Sequence, residues 1–173
     1  MNKIAILYSP TGGATEKVAR KIAKIAGEKR CDLLPVNEDS INQLNNYENI
    51  IFGLSTIGKE TWNSDPVVSG WFRFIHDLSE ARLDKKTIAI FGLGDQIRYP
   101  DNFVDAIGEL YRVIIKSGGD TIGKVDPSEY DFNHSQAIID GKFAGLPVDE
   151  EFESEFTDRR IVSWVETILP QFS

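Results

Sequence analysis

The sequence predicts an open α/β sheet. Apolar runs alternate with stretches of helical period from one end of the chain to the other. The central runs are apolar throughout, as strands buried on both faces are. Three of the strands also end in loops rich in small, hydroxyl or aromatic residues, and in an open sheet ligands gather outside the carboxyl ends of the strands.

Lys3–Tyr8 is the first expected strand. A helix follows from about Ala14 to Gly27, with Val18, Ile22 and Ile25 recurring at helical spacing. Cys31–Val36 is the second strand and Asn49–Leu54 the third. Ser64–Asp65 ahead of Pro66 reads as a helix start, because proline tolerates the first helical position. Lys86–Gly92 is the fourth strand. The next helix is expected from about Asn102 to Ser117, with Phe103, Ile107, Leu110 and Ile114 in one stripe and Gly118-Gly119 after its end. A strand near Asp120–Val125 should pair in parallel. Asp126 to Glu155 shows no steady period and reads as an excursion interrupting that last strand, with GKFAGLP resuming it. A final helix is expected over Asp158–Leu169, burying Ile161, Trp164, Val165 and Ile168.

Length and composition fit a single folded domain spanning residues 1–173. No apolar run is long enough to span a bilayer and no signal-peptide pattern opens the chain, so a cytoplasmic location is expected. Cys31 is the sole cysteine, which excludes an internal disulfide or a cysteine-held cluster, and it reads as a small core residue. A net charge of −8 argues against nucleic acid and anionic membranes and for partners with basic docking surfaces. The dense run Asp149, Glu150, Glu151, Glu153 and Glu155 reads as a solvated loop. His76 and His134 read as surface residues, and Trp71 and Trp164 as core.

The loop after the first strand, SPTGGATE, places Ser9, Pro10, Thr11, Gly12, Gly13, Ala14 and Thr15 at the start of a helix. First-turn amides lack intrahelical acceptors and sit at the positive end of the helix dipole, so they welcome an anion. No Lys or Arg lies between Ser9 and Ala14. A phosphate there would be met by amides and hydroxyls. The loop is neither a nucleotide-triphosphatase P-loop nor a dinucleotide fingerprint. After the third strand, Ser55, Thr56, Gly58 and Trp62 supply hydrogen-bonding groups, a flexible peptide and a large ring. After the fourth, Gly94, Asp95, Tyr99 and Phe103 supply backbone, carboxylate and rings. Such a pocket suits a planar aromatic cofactor with one phosphate.

The chain resembles the flavodoxins, and specifically their long-chain type. Thr11-Gly12-Gly13-Ala14-Thr15-Glu16, the GDQxxYxxNF string from Gly94 to Phe103 and the segment from Tyr130 to Glu150 carry the resemblance. It implies a three-layer, doubly wound sheet of five parallel strands in the order 2-1-3-4-5, the last split by an insertion. It implies non-covalent FMN held by Ser9 to Thr15, by Ser55 to Gly58, and by Leu93, Gly94, Asp95, Tyr99, Asn102 and Phe103, with Tyr99 stacked on the outer ring face.

Where the family has two threonines, this chain carries Pro10 and Gly12, so amides would supply more of the phosphate binding. The inner ring face falls to Ile57 or to Trp62. The implied function is a monomeric, low-potential carrier moving single electrons between redox proteins, its flavin alternating between semiquinone and hydroquinone. The Ile57–Gly58 peptide would stabilise the semiquinone, and Asp95 would disfavour the anionic hydroquinone. The implied partners are a ferredoxin/flavodoxin–NADP reductase, a pyruvate oxidoreductase or a nitrogenase reductase. An FMN-dependent NAD(P)H quinone or flavin reductase on the same fold is the alternative.

Overall fold

A computed structural model describes residues 2–55 and 66–173, and for 66–72 the backbone alone. Five parallel strands form the sheet: β1 (Ile4–Tyr8), β2 (Cys31–Pro35), β3 (Asn49–Ser55), β4 (Thr87–Leu93) and β5 (Asp120–Ile122), in the order β2-β1-β3-β4-β5. This is the topology that the resemblance implied. The helices are α1 (Ala14–Ala26), α2 (Ser40–Leu44), α3 (Pro66–Glu80), α4 (Asp105–Lys116) and α5 (Ser154–Ile168).

Strand alternation sends successive side chains to opposite faces. Ile4, Ile6 and Tyr8 of β1 join Ile51, Ala89 and Phe91 beneath α1 and α5, which contribute Val18, Ile22, Ile161, Trp164 and Ile168. Ala5 and Leu7 turn the other way, to Phe52, Ile88 and Ile90, where Phe74 and Leu78 of α3 and Ile107, Leu110 and Ile114 of α4 close the second layer. Trp164 is buried and donates its indole N–H to the Gly123 carbonyl at 2.9 Å. His76 and His134 are exposed, as expected.

The fifth strand is split. β5 pairs with Thr87–Ala89 at the lower half of β4, and β8 (Leu146–Val148) pairs in parallel with Phe91–Leu93 above it. Between the halves, β6 (Ile138–Ile139) and β7 (Lys142–Phe143) make a small antiparallel hairpin. The strand therefore resumes at Leu146, while the Gly-Lys-Phe part of the expected segment turns back on itself.

Three expectations need correction. The fourth helix starts at Asp105, because Val104 takes a left-handed conformation at φ 47° that an α-helix cannot run through. Phe103 thus precedes the helix and packs beneath the loop. The last helix starts four residues early, at Ser154, with acidic Glu155 in its first turn where the dipole favours it. The acidic run is not simply solvated, since Asp149 is fully buried and Glu153 pairs with the buried Arg160 at 2.7 Å. The short helix α2 was not anticipated at all. Ser64, Asp65 and the side chain of Trp71 lie outside what is described.

Candidate functional site

The loops after β1 and β4 leave the same carboxyl edge of the sheet, from the strands on either side of β3. β1 ends at the buried Tyr8, and the Ser9 amide donates to the Gly53 carbonyl at 3.1 Å, which ties the start of the loop to β3. Pro10, Thr11 and Gly12 are exposed, Ser9, Gly13 and Ala14 partly so, and Thr15 is buried at the helix start. Gly12 sits at φ 76°, a conformation that glycine takes without a Cβ clash, and the space beside both Gly12 and Gly13 is open. No side chain caps the first turn of α1. First-turn amides have no intrahelical acceptor, which is what an anion seat needs.

Glu16 was not anticipated in this seat. Its Oε2 accepts the Gly12 amide at 2.7 Å, while Oε1 accepts Nε and Nη2 of Arg20 at 3.0 and 2.7 Å. The Gly12 amide and then the Arg20 guanidinium hold this carboxyl below the usual carboxylate range. A glutamate three residues after the capping position reaches back to a loop amide, so the Gly-x-x-Glu spacing is the signal that could have found it. Glu16 fixes the loop, and its partner Arg20 is a cation one helical turn further along α1.

The second loop is built on buried carboxylates. Asp95 is 3% exposed, and its Oδ1 accepts the amides of Ile97 and Arg98 at 3.0 and 2.7 Å, with Arg98 Nε 3.6 Å from Oδ2. Its charge is therefore engaged in shaping the loop and partly balanced by Arg98. Asp149 accepts the amides of Gln96, Glu151 and Phe152 at 3.1, 3.1 and 2.8 Å, joining the β4 loop to the turn after β8. Asp105 accepts the amide of Gln136 at 2.8 Å and the side chain of Asn102 at 3.0 Å. Gln96 is buried, and its Oε1 accepts the Asp131 amide at 2.7 Å.

These contacts brace Gly94–Asn102 against the insertion and leave Tyr99 41% exposed at the edge. Leu93 and Gly94 are buried, and Asn102 is exposed. Phe103 is fully buried, its ring 5.7 to 5.9 Å from those of Tyr130, Phe132 and Phe143. It supports the loop from beneath. Ser55 ends β3, part-exposed at the same edge. Thr56, Ile57, Gly58 and Trp62 lie outside the described residues.

A flavodoxin family model matches residues 6–158. The chain belongs to the flavodoxin family. It is 40% identical to a flavodoxin of Nostoc sp. over 170 residues, covering 98% of this chain and 97% of that protein. Flavodoxin 1 of Azotobacter vinelandii is 36% identical over 176 residues, covering 99% and 98%. A crystal structure of Fusobacterium nucleatum flavodoxin bound to flavin mononucleotide superposes with a TM-score of 0.87 at 26% identity, both chains covered completely. Flavodoxins are electron-transfer proteins and not enzymes, which sets the reductase alternative aside. Among the described residues no group of His, Cys, Asp and Glu could hold a metal ion, and no helix is long and apolar enough to cross a membrane.

Proposed function

We propose that this flavodoxin carries single electrons between redox proteins on non-covalently bound FMN. The observation that carries the reading is the pairing of an uncapped helix N-terminus at Gly13–Thr15 with the braced, ring-bearing loop Gly94–Asn102 on one sheet edge. The donor set fits a phosphate monoester on a flat ring system: amides and the hydroxyls of Ser9, Thr11 and Thr15 at one end, the exposed ring of Tyr99 at the other. FMN supplies the one-electron chemistry when bound, and the protein's part is to seat, orient and shield it.

In this reading the backbone of Leu93, Gly94 and Asp95 meets the pyrimidine side, Asn102 reaches the same edge, and Ile57 or Trp62 covers the inner face. The Ile57–Gly58 peptide supplies an acceptor for a ring proton. Acidic surface outside the balanced Asp95 disfavours added negative charge, giving a low potential. The protein acts as a monomer on partners with basic docking faces, of the NADP reductase, pyruvate oxidoreductase or nitrogenase reductase kind.

Stepwise reduction of the purified protein, followed by its visible spectrum, tests this. Two resolved one-electron steps are expected. A colourless protein that takes up no FMN would overturn the cofactor assignment. A single two-electron step would overturn the carrier mechanism.

A further inference from the structure

In a chain of net charge −8, six of nineteen Lys and Arg fall within the fourteen residues from Lys17 to Arg30, with Glu28 as the one acid among them. The positions Lys17, Arg20, Lys21 and Lys24 repeat at helical spacing, so they share one face of α1. Of these, Arg20 pairs with Glu16 and Lys21 with Asp158, while Lys17 and Lys24 have no ion pair among the described residues. This face does not stand over a flat surface. Arg20, Lys21 and Lys24, against the single acid Glu28, wall a groove of about 460 Å³ whose apolar lining is Ala23, Cys31 and Leu33.

The far side of the groove is β2, an edge strand that among the described residues pairs with β1 alone. Beside Cys31, Arg30 keeps Nε and Nη2 buried with no acceptor among the described residues. An edge strand offers unpaired backbone groups to an extended segment. A row of cations beside it selects the charge of that segment.

We propose that the α1–β2 groove is a docking surface for an extended acidic segment of a partner protein. Overall acidity does not forbid this. At physiological salt, charges more than about 8 Å away are largely screened, so an approaching carboxylate senses the local basic row before the distant acids. The proposal gives the molecule two faces of opposite preference: an acidic one for basic partners and a basic groove for an acidic one. It stands apart from the flavin assignment, because its test reads binding and not electron transfer.

A fluorescein-labelled deca-glutamate peptide, titrated into the full chain and followed by anisotropy, is the probe. Binding is expected, weakening as salt rises from about 20 to about 200 mM. K21Q/K24Q should weaken it about fivefold, the worth of two exposed charge contacts. K116Q/K142Q, which removes equal charge from other faces, should leave it unchanged. Equal affinity for a neutral Gly-Ser peptide, equal loss in both double variants, or no loss in K21Q/K24Q would overturn the proposal. So would absence of peptide binding, with or without binding to phosphatidylserine vesicles; binding to the vesicles in that case would make the groove a membrane contact.

Discussion

Three buried aspartates do the shaping at the candidate site, and each serves as an acceptor for backbone amides that a loop cannot otherwise satisfy. Asp149 is the most demanding of them, being fully buried with three amide donors from two separate turns. Removing it leaves those N–H groups without a partner away from water, and hydrogen bonds to charged groups are worth more than neutral ones. Asp149→Ala is expected to cost about 3 kcal/mol in urea unfolding, whereas a solvated acid would cost almost nothing. Cys31 offers a pH-dependent counterpart. Burial pushes its thiol up to about 11 from an ordinary value of 9. The native thiol should therefore react with a disulfide reagent about 100-fold more slowly at pH 8 than the unfolded chain does, following the thiolate fraction. The linked stability is fully present below pH 9, where both states are protonated. It is lost as pH rises from 9 towards 11, because the unfolded thiol ionises first. The burial of Cys31 was legible from its apolar strand, but the role of Asp149 was not. An aspartate within five acids over seven positions reads as solvated, and only the register of β8 carries Asp149 inward.

At the scale of elements, the parallel strands were legible because apolar runs buried on both faces leave a strong signal, as Asn49–Ser55 and Thr87–Leu93 do. Helix α2 was not, since five residues are too few to establish a period. The Asp105 start of α4 depended on one left-handed residue, Val104, a conformation sequence pattern does not announce. The packing of the insertion was equally silent. Asp105, Gly108 and Arg112 lie along one stripe of α4 and all meet Gln136: Asp105 takes its amide, Arg112 Nη2 donates to its carbonyl at 3.1 Å, and Gly108 lets that carbonyl approach. A Cβ at position 108 would stand 2.1 Å from the Gln136 oxygen, and a backbone atom cannot swing away. Helix propensity alone favours Gly108→Ala by about 1 kcal/mol, but overpacking against fixed backbone costs about 1–3 kcal/mol. The contact should win. A net loss of about 1 kcal/mol is expected in urea unfolding, and a gain of stability would show that the insertion does not rest on this stripe.

At the scale of the molecule, the two core layers and the carboxyl edge differ in what holds them. The layers are closed by side chains such as Phe52, Phe91, Trp164 and Ile107, which need no ligand to stay buried. The edge is held by amide-to-carboxylate contacts in loops, and the loop after β1 is exposed from Pro10 to Gly12. A ligand that bridges these loops binds the native state and has no site on the unfolded chain, so it must stabilise the whole fold by mass action. At free FMN about 100 times its dissociation constant, the gain should be about 2.7 kcal/mol, read as a rise in the urea midpoint. The same experiment divides the site between its two ends. Riboflavin has the ring system without the phosphate, so at equal concentration it should stabilise much less, and inorganic phosphate alone should give a small gain through the Gly13–Thr15 amides. Equal stabilisation by FMN and riboflavin would mean that the uncapped first turn of α1 is not where the cofactor is anchored, and the β4 loop around Tyr99 would have to carry the binding instead.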